Sequence, residues 1–181
     1  QGKQMYRLYL EGRIGGEELR GAWNSPAFGP TFYEDVPEIV KFCRFDASGN
    51  DLVWTDPAEK QLEDHILYAD STFFDVFSIE LVEGDPETCL KEPHSILLTE
   101  EKAARYFKGE NAMGKSIYVD DDENIYTVTG IVKAAPKHSH FFYDFIISYC
   151  TRESSRNPSF FNNNMFTYYV LDEHADPQVT E

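Results

Sequence analysis

Apolar and polar positions change their period several times along this chain, and the changes outline strands interleaved with a few short helices. MYRLYLEG (5–12) alternates Met5, Arg7 and Tyr9 with Tyr6, Leu8 and Leu10, which predicts a strand apolar enough to be covered on both faces. A Gly-rich, charged loop follows. Ser25-Pro26 offers a helix start with Pro in the first turn, while Gly29-Pro30 and Pro37 hold any helix there to a short or broken piece. EIVKFCRFD (38–46) and DLVWTD (51–56) alternate in turn, and the Asp-Ala-Ser-Gly-Asn stretch between them predicts a hairpin. Residues 65–68 make a short strand. Asp70-Ser71 stands ready to cap one helical turn, STFFDVF, whose Phe73, Phe74 and Phe77 share a face and are expected in the core.

The second half is more regular. SILLT (95–99) predicts a strand, and Thr99 caps the helix TEEKAARYFK, with Glu100 and Glu101 at the positive end of its dipole and Gly109 in the C′ place. SIYVDDDENIYTVTGIV (116–132) is the clearest hairpin, two apolar strands around an acidic tip. FFYDFIIS (141–148) and MFTYYVLD (165–172) are the last two strands, separated by the Ser/Asn-rich loop TRESSRNPSFFNNN. Strands and helices mix without regular βαβα alternation, so the class is α+β, with mixed sheets and few short helices.

Charge narrows the partners. Thirty-two Asp/Glu against 16 Lys/Arg give a net charge of −16, a field that repels polyanions and argues against nucleic acid and anionic membrane surfaces. With 181 residues, 41% of them apolar, the chain can bury the core of one domain or of two small subdomains. Its greasiest run, FFYDFIISYC (141–150), carries Asp144 and falls well short of the ~18 consecutive apolar residues of a membrane span. The Gln-Gly start and the DPQVTE end read as those of an excised, soluble fragment. Cys43, Cys89 and Cys150 are odd in number and lack CxxC spacing, so no disulfide framework is expected, although one pair in an oxidising compartment stays open.

Several motifs invite a chemical reading. GENAMGKS (109–116) satisfies GxxxxGK[ST], but a P-loop needs a strand before the glycines and a helix N-terminus after them; here a helix precedes and a strand follows. DDDEN (120–124) lacks the Gly and the distant Glu of an EF-hand and reads as a solvated hairpin tip. His138 and His140 would share one face of an extended segment, yet no third and fourth zinc ligand follows at the usual spacing. There is no GxSxG elbow and no protease-like cysteine signature, so no catalytic residue, cofactor or metal is assigned. The candidate that remains is a partner-contact surface at 159–170, where Phe160, Phe161, Met165 and Phe166 stand among amides, a mixture suited to an adaptable interface. An ordinary strand from Met165 onward, with one face buried, is the competing reading.

The order of motifs from 68 to 148 resembles the periplasmic core domain of MacB/FtsX-type ABC transporter permeases. The resemblance is carried by DSTFFDVF (70–77), EGD (83–85) and LTE (98–100), the last leading through Ala103 to Tyr106-Phe107. It continues through MGK (113–115), VTGIV (128–132) and PKHSHF (136–141) before the strand that carries Asp144. Ala112 stands where the family commonly has Pro. The resemblance implies a porter-like subdomain from residues 1–69 and 136–181 and an inserted Sabre-like subdomain at 70–135. It implies a mechanical role on the periplasmic side of the inner membrane, in which ATP-driven conformational change reaches this domain and serves efflux or export of a periplasmic substrate. Implied partners are the permease's own transmembrane helices, a second permease copy, a cytoplasmic ATPase, and a periplasmic adaptor with an outer-membrane duct. Alternatives are a lipoprotein-release or cell-wall-hydrolase-regulating permease, a secreted peptide- or glycan-binding protein, and an NTP-using enzyme built on 109–116.

Overall fold

One long strand organises the molecule. The computed structural model describes residues 4–14, 16–156 and 158–176. In chain order the elements are β1 (Met5–Arg7), β2 (Leu10–Ile14), β3 (Glu17–Gly21), β4 (Trp23–Asn24), α1 (Phe28–Asp35) and β5 (Ile39–Trp54). Then come β6 (Gln61–Ala69), α2 (Phe73–Val76), β7 (Leu81–Gly84), β8 (Ser95–Thr99), α3 (Glu100–Tyr106), β9 (Ser116–Val119), β10 (Ile125–Val132), β11 (Phe145–Ser148) and β12 (Met165–Leu171). Ten strands form one mixed sheet in the order β1-β12-β5-β6-β11-β8-β10-β7, with β4 added beside β12 and β9 beside β10; β2 and β3 make a separate hairpin. The pairings β6/β11 and β8/β10 are parallel and the rest antiparallel. The far end of β5 curls over to pair with β9 through Val53 and Trp54.

The two-residue period of the strands divides the core between two faces. The first face carries Cys43 and Phe45 of β5, Leu67 and Ala69 of β6, Leu97 of β8, Ile146 of β11 and Tyr168 of β12, and α2 covers it with Phe73, Val76 and Phe77. The second face carries Ile66, Tyr68, Ile96, Leu98, Phe145 and Ile147, covered by Ala103, Tyr106 and Phe107 of α3 and by Ile117 and Val119 of β9. Near β12 the second face is completed by α1, whose Phe32 packs beside Tyr169 and Leu171. That helix comes close enough for a Cβ on Gly29 to stand 2.7 Å from Arg44 Cδ, so only glycine fits the crossing.

The hairpin at 116–132, the strand at 95–99 and the α3 helix form as the periodicity predicts; Thr99 Oγ1 accepts from the Lys102 N–H. Five local expectations change. Residues 5–12 break into β1 and β2, and Met5 and Tyr6 remain exposed because β1 is an edge strand that pairs only with β12. No hairpin forms at 46–50. The turn-like residues are absorbed as register shifts while β5 keeps pairing with β6, and the chain reverses instead at 55–60, where Asp56 Oδ1 accepts from the Ala58 N–H. Asp70 does not cap α2, since its carboxylate faces Arg44. Residues 141–144 lie outside the strand, and Gly109 follows a left-handed Lys108 instead of being the first residue past the helix.

Candidate functional site

The four residues expected to form a contact surface lie on different sides of the sheet. Phe161 is 94% exposed, and Phe160, 53% exposed, sets its ring edge-on against Phe28 of α1 at 5.5 Å. Met165 is fully buried, which removes it from any surface: as the first residue of β12 it points into the second-face core, in the cluster of Phe145 and Tyr149. Phe166, one residue on, points to the first face and leans on Phe45 at 5.4 Å and on Trp23 at 6.2 Å. Trp23, 62% exposed, is a large apolar side chain at the surface that the sequence pattern did not mark. It stands alone in sequence, and only the pairing of β4 with β12 sets it opposite Phe166.

Beyond Phe166 the first face opens into a cavity of about 200 Å³ between β1, β5, β6, β12 and the segment at 140–142. Phe45, Phe141, Phe142 and Phe166 supply its walls, with Arg7 and His140 among its polar lining. His140 Nε2 lies 2.5 Å from the Tyr168 hydroxyl. Burial, and then the nearby Arg7 guanidinium, push the His140 pKa down, which favours a neutral imidazole at neutral pH. Burial raises the Tyr168 pKa, so its hydroxyl keeps its proton.

The motifs weighed in the sequence take structural places. Gly114 sits in a left-handed turn with its N–H on the Val128 carbonyl, Lys115 reaches Glu110 at 2.6 Å, and β9 rather than a helix follows. In the acidic tip, Asp121 Oδ1 accepts from the N–H groups of Glu123 and Asn124 and so shapes the turn. His138 and His140 join no metal-type cluster among the described residues. The grouping that does occur there is Asp64, His65 and Asp144, with His65 Nδ1 3.6 Å from Asp64 Oδ1 and 3.7 Å from Asp144 Oδ2. A cation there would meet the Lys102 ammonium, already 3.4 Å from Asp144 Oδ2. Separation in sequence hid this cluster, because Asp144 joins it only through the β6/β11 pairing. All three cysteines are free; Cys43 and Cys89 are buried, and burial pushes the Cys89 thiol up to about 11.

Buried charge is concentrated on the second face. Arg44 donates from Nε and Nη2 to the two carboxylate oxygens of Asp70, each at 2.9 Å, and from Nη1 to the Pro26 carbonyl. Asp46 accepts from Arg152 at 2.6 Å and from Asn164 at 3.2 Å, and the Arg152 guanidinium lies over the Tyr68 ring. Glu63 accepts from Lys102, from the Tyr106 hydroxyl at 2.7 Å and from Arg105 at 3.3 Å. Each of these buried charges has its partner, so the networks read as structural supports.

Comparison with known proteins agrees with this architecture. A domain of a permease protein from Porphyromonas gingivalis superposes with a TM-score of 0.83 at 20% identity, over 98% of this chain and 76% of that one. The periplasmic region of MacB from Actinobacillus actinomycetemcomitans gives 0.68 at 13% identity, over 97% and 78%. The extracellular domain of the noncanonic ABC-type transporter YknZ from Gram-positive bacteria gives 0.59 at 12% identity, over 83% and 74%. No curated protein sequence matches. Among the described residues no helix is long and apolar enough to cross a membrane. Residues 9–181 match the MacB-like periplasmic core domain, and the chain belongs to that family.

Proposed function

We propose that this periplasmic domain of an ABC-type permease works as a mechanical transmitter for the efflux or export of a periplasmic substrate. The observation that carries the reading is the family match across residues 9–181. ATP hydrolysis belongs to a cytoplasmic domain or subunit, and the permease's own membrane helices pass the resulting motion to two copies of this domain. A periplasmic adaptor and an outer-membrane duct complete the route. Energy enters as contacts that differ between two states of the pair. In this scheme residues 1–69 with 136–181 act as the porter-like part and 70–135 as the inserted Sabre-like part. The sheet that joins them, through β11/β8 hydrogen bonds and the β5/β9 pairing, suits a body that moves as a unit.

The test uses the parent permease reconstituted with its ATPase and spin-labelled at the exposed Glu87 or Glu173. Distances between the two copies should differ between the ATP-trapped and ADP-bound states. Identical distance distributions in both would overturn the transmitter reading.

A further inference from the structure

We propose that the first-face cavity is a binding site for a small aromatic carboxylate, its ring held between phenylalanines and its anionic end on Arg7. The inference stands on the cavity and not on the transmitter reading, and it concerns the chain by itself.

Size and lining decide the body of the ligand. At about 200 Å³ the space is smaller than the roughly 300–1,000 Å³ of sites for drug-sized molecules, so the occupant is fragment-sized, one or two fused rings. Phe45, Phe141, Phe142 and Phe166 present ring faces and edges, which favour a planar aromatic guest over a branched aliphatic one. The Phe45 and Phe141 rings, 4.8 Å apart, are held by packing on Phe73 and Phe77, so this wall is formed before any ligand arrives.

Charge decides the other end. Arg7 is the cross-strand partner of Tyr168 in the β1/β12 ladder, so the two side chains project from the same face toward the cavity. Arg44, Arg105 and Arg152 each pair with a carboxylate, whereas none of the described carboxylates forms an ion pair with Arg7. An arginine left without an acid, in a chain with twice as many acids as bases, is a local site for an anion. Its planar fork matches a carboxylate bidentately. The Tyr168 hydroxyl, bonded to the His140 imidazole and reached by the Arg7 side chain, holds this end of the cavity polar without adding negative charge. The net charge of −16 disfavours polyanions everywhere else on the molecule, which selects a single carboxylate over a phosphate-rich ligand.

The experiment is calorimetric titration of the 181-residue chain with 2-naphthoate and with its neutral isostere 2-naphthamide, at low salt, for the wild type and the Arg7→Gln variant. Thermal unfolding confirms that the variant, altered at an exposed edge-strand position, is folded. In the wild type the carboxylate should bind at least about tenfold more tightly than the amide, the margin of a charge-assisted bidentate contact. Arg7→Gln should bring the carboxylate down to the amide's affinity and leave the amide unchanged. Phe142→Ala, at an exposed wall position, should weaken both ligands together. Equal affinities for the two ligands in the wild type, binding of 2-naphthoate untouched by Arg7→Gln, or no binding of either at millimolar concentration would each overturn the proposal.

Discussion

The two faces of the sheet are held in different ways. On the first face Phe45, Phe73, Phe77, Phe141 and Tyr168 stack and meet edge-on with centroids 4.8–6.3 Å apart. On the second lie all four buried charged residues of the described chain, Arg44, Asp46, Glu63 and Lys102. Aromatic burial is non-directional and large, whereas a buried ion pair adds little net stability but punishes every arrangement that breaks it. The charged pairs sit where punishment is needed. Asp46 and Glu63 flank the register shifts at which β5 and β6 lose simple alternation, and a one-residue slip would carry Asp46 away from Arg152 and Glu63 away from Lys102. The aromatic face supplies magnitude; the charged face selects the register.

Arg44→Met is the sharpest way to break this contrast. It leaves Asp70, whose side chain is 14% exposed, with only the backbone N–H of residue 44 and no charged partner, and should cost about 3–5 kcal/mol in urea unfolding. Replacing Asp70 by Leu in the same chain should recover most of that loss; a double variant as unstable as the single one would show that the charge pair is not the cause. On the aromatic face Phe77→Leu, which keeps an apolar group of similar volume, should cost only about 1–1.5 kcal/mol by the same measurement.

Alkali should probe the aromatic face next. Burial pushes the Cys89 thiol up to about 11 and the Tyr143 hydroxyl up to about 12, from ordinary values of 9.0 and 10.0. Between the unfolded and folded values the folded state holds the extra protons, so stability is fully present below about pH 9 and falls as pH rises through 11 and 12, by at most about 1.4 kcal/mol per pH unit for each proton held. Urea midpoints from pH 8 to 12 should show this slope, and Tyr143→Phe should flatten its upper part. The smallest effect is expected at Phe161, where Ser should change stability by less than about 0.5 kcal/mol, since the ring is 94% exposed; a larger loss would mean that the ring packs more than its exposure indicates.

Elements whose signal is local were legible from the residues alone. The 116–132 hairpin carries its own turn between two apolar runs, and α3 carries both its cap at Thr99 and its acidic first turn. Elements whose partners are distant were not. Residues 46–50 look like a turn because Asp, Ser, Gly and Asn favour one, yet pairing with β6 absorbs them as bulges within a single strand. Of the expected contact surface, Phe161 and Phe160 are exposed, and Met165 failed because the phase of β12 depends on its pairing with β4 and β5. Arg7 and Trp23 carried no mark in the sequence, since each gains its meaning from β12 more than 140 residues away.

By itself the sequence determined the α+β class, the solvated acidic surface, the strand and helix between 95 and 106, the hairpin at 116–132 and, through the order of its motifs, the permease-domain family. Those features depend on composition, on periods of two and 3.6, and on caps within a few residues of one another. Tertiary structure alone decided which face of each strand is buried, where the charged pairs meet, and that Arg7, without an ion pair among the described residues, stands beside an aromatic cavity. These follow from strand order and register, which are settled by summed burial and pairing across the whole sheet and are written in no single segment of the chain.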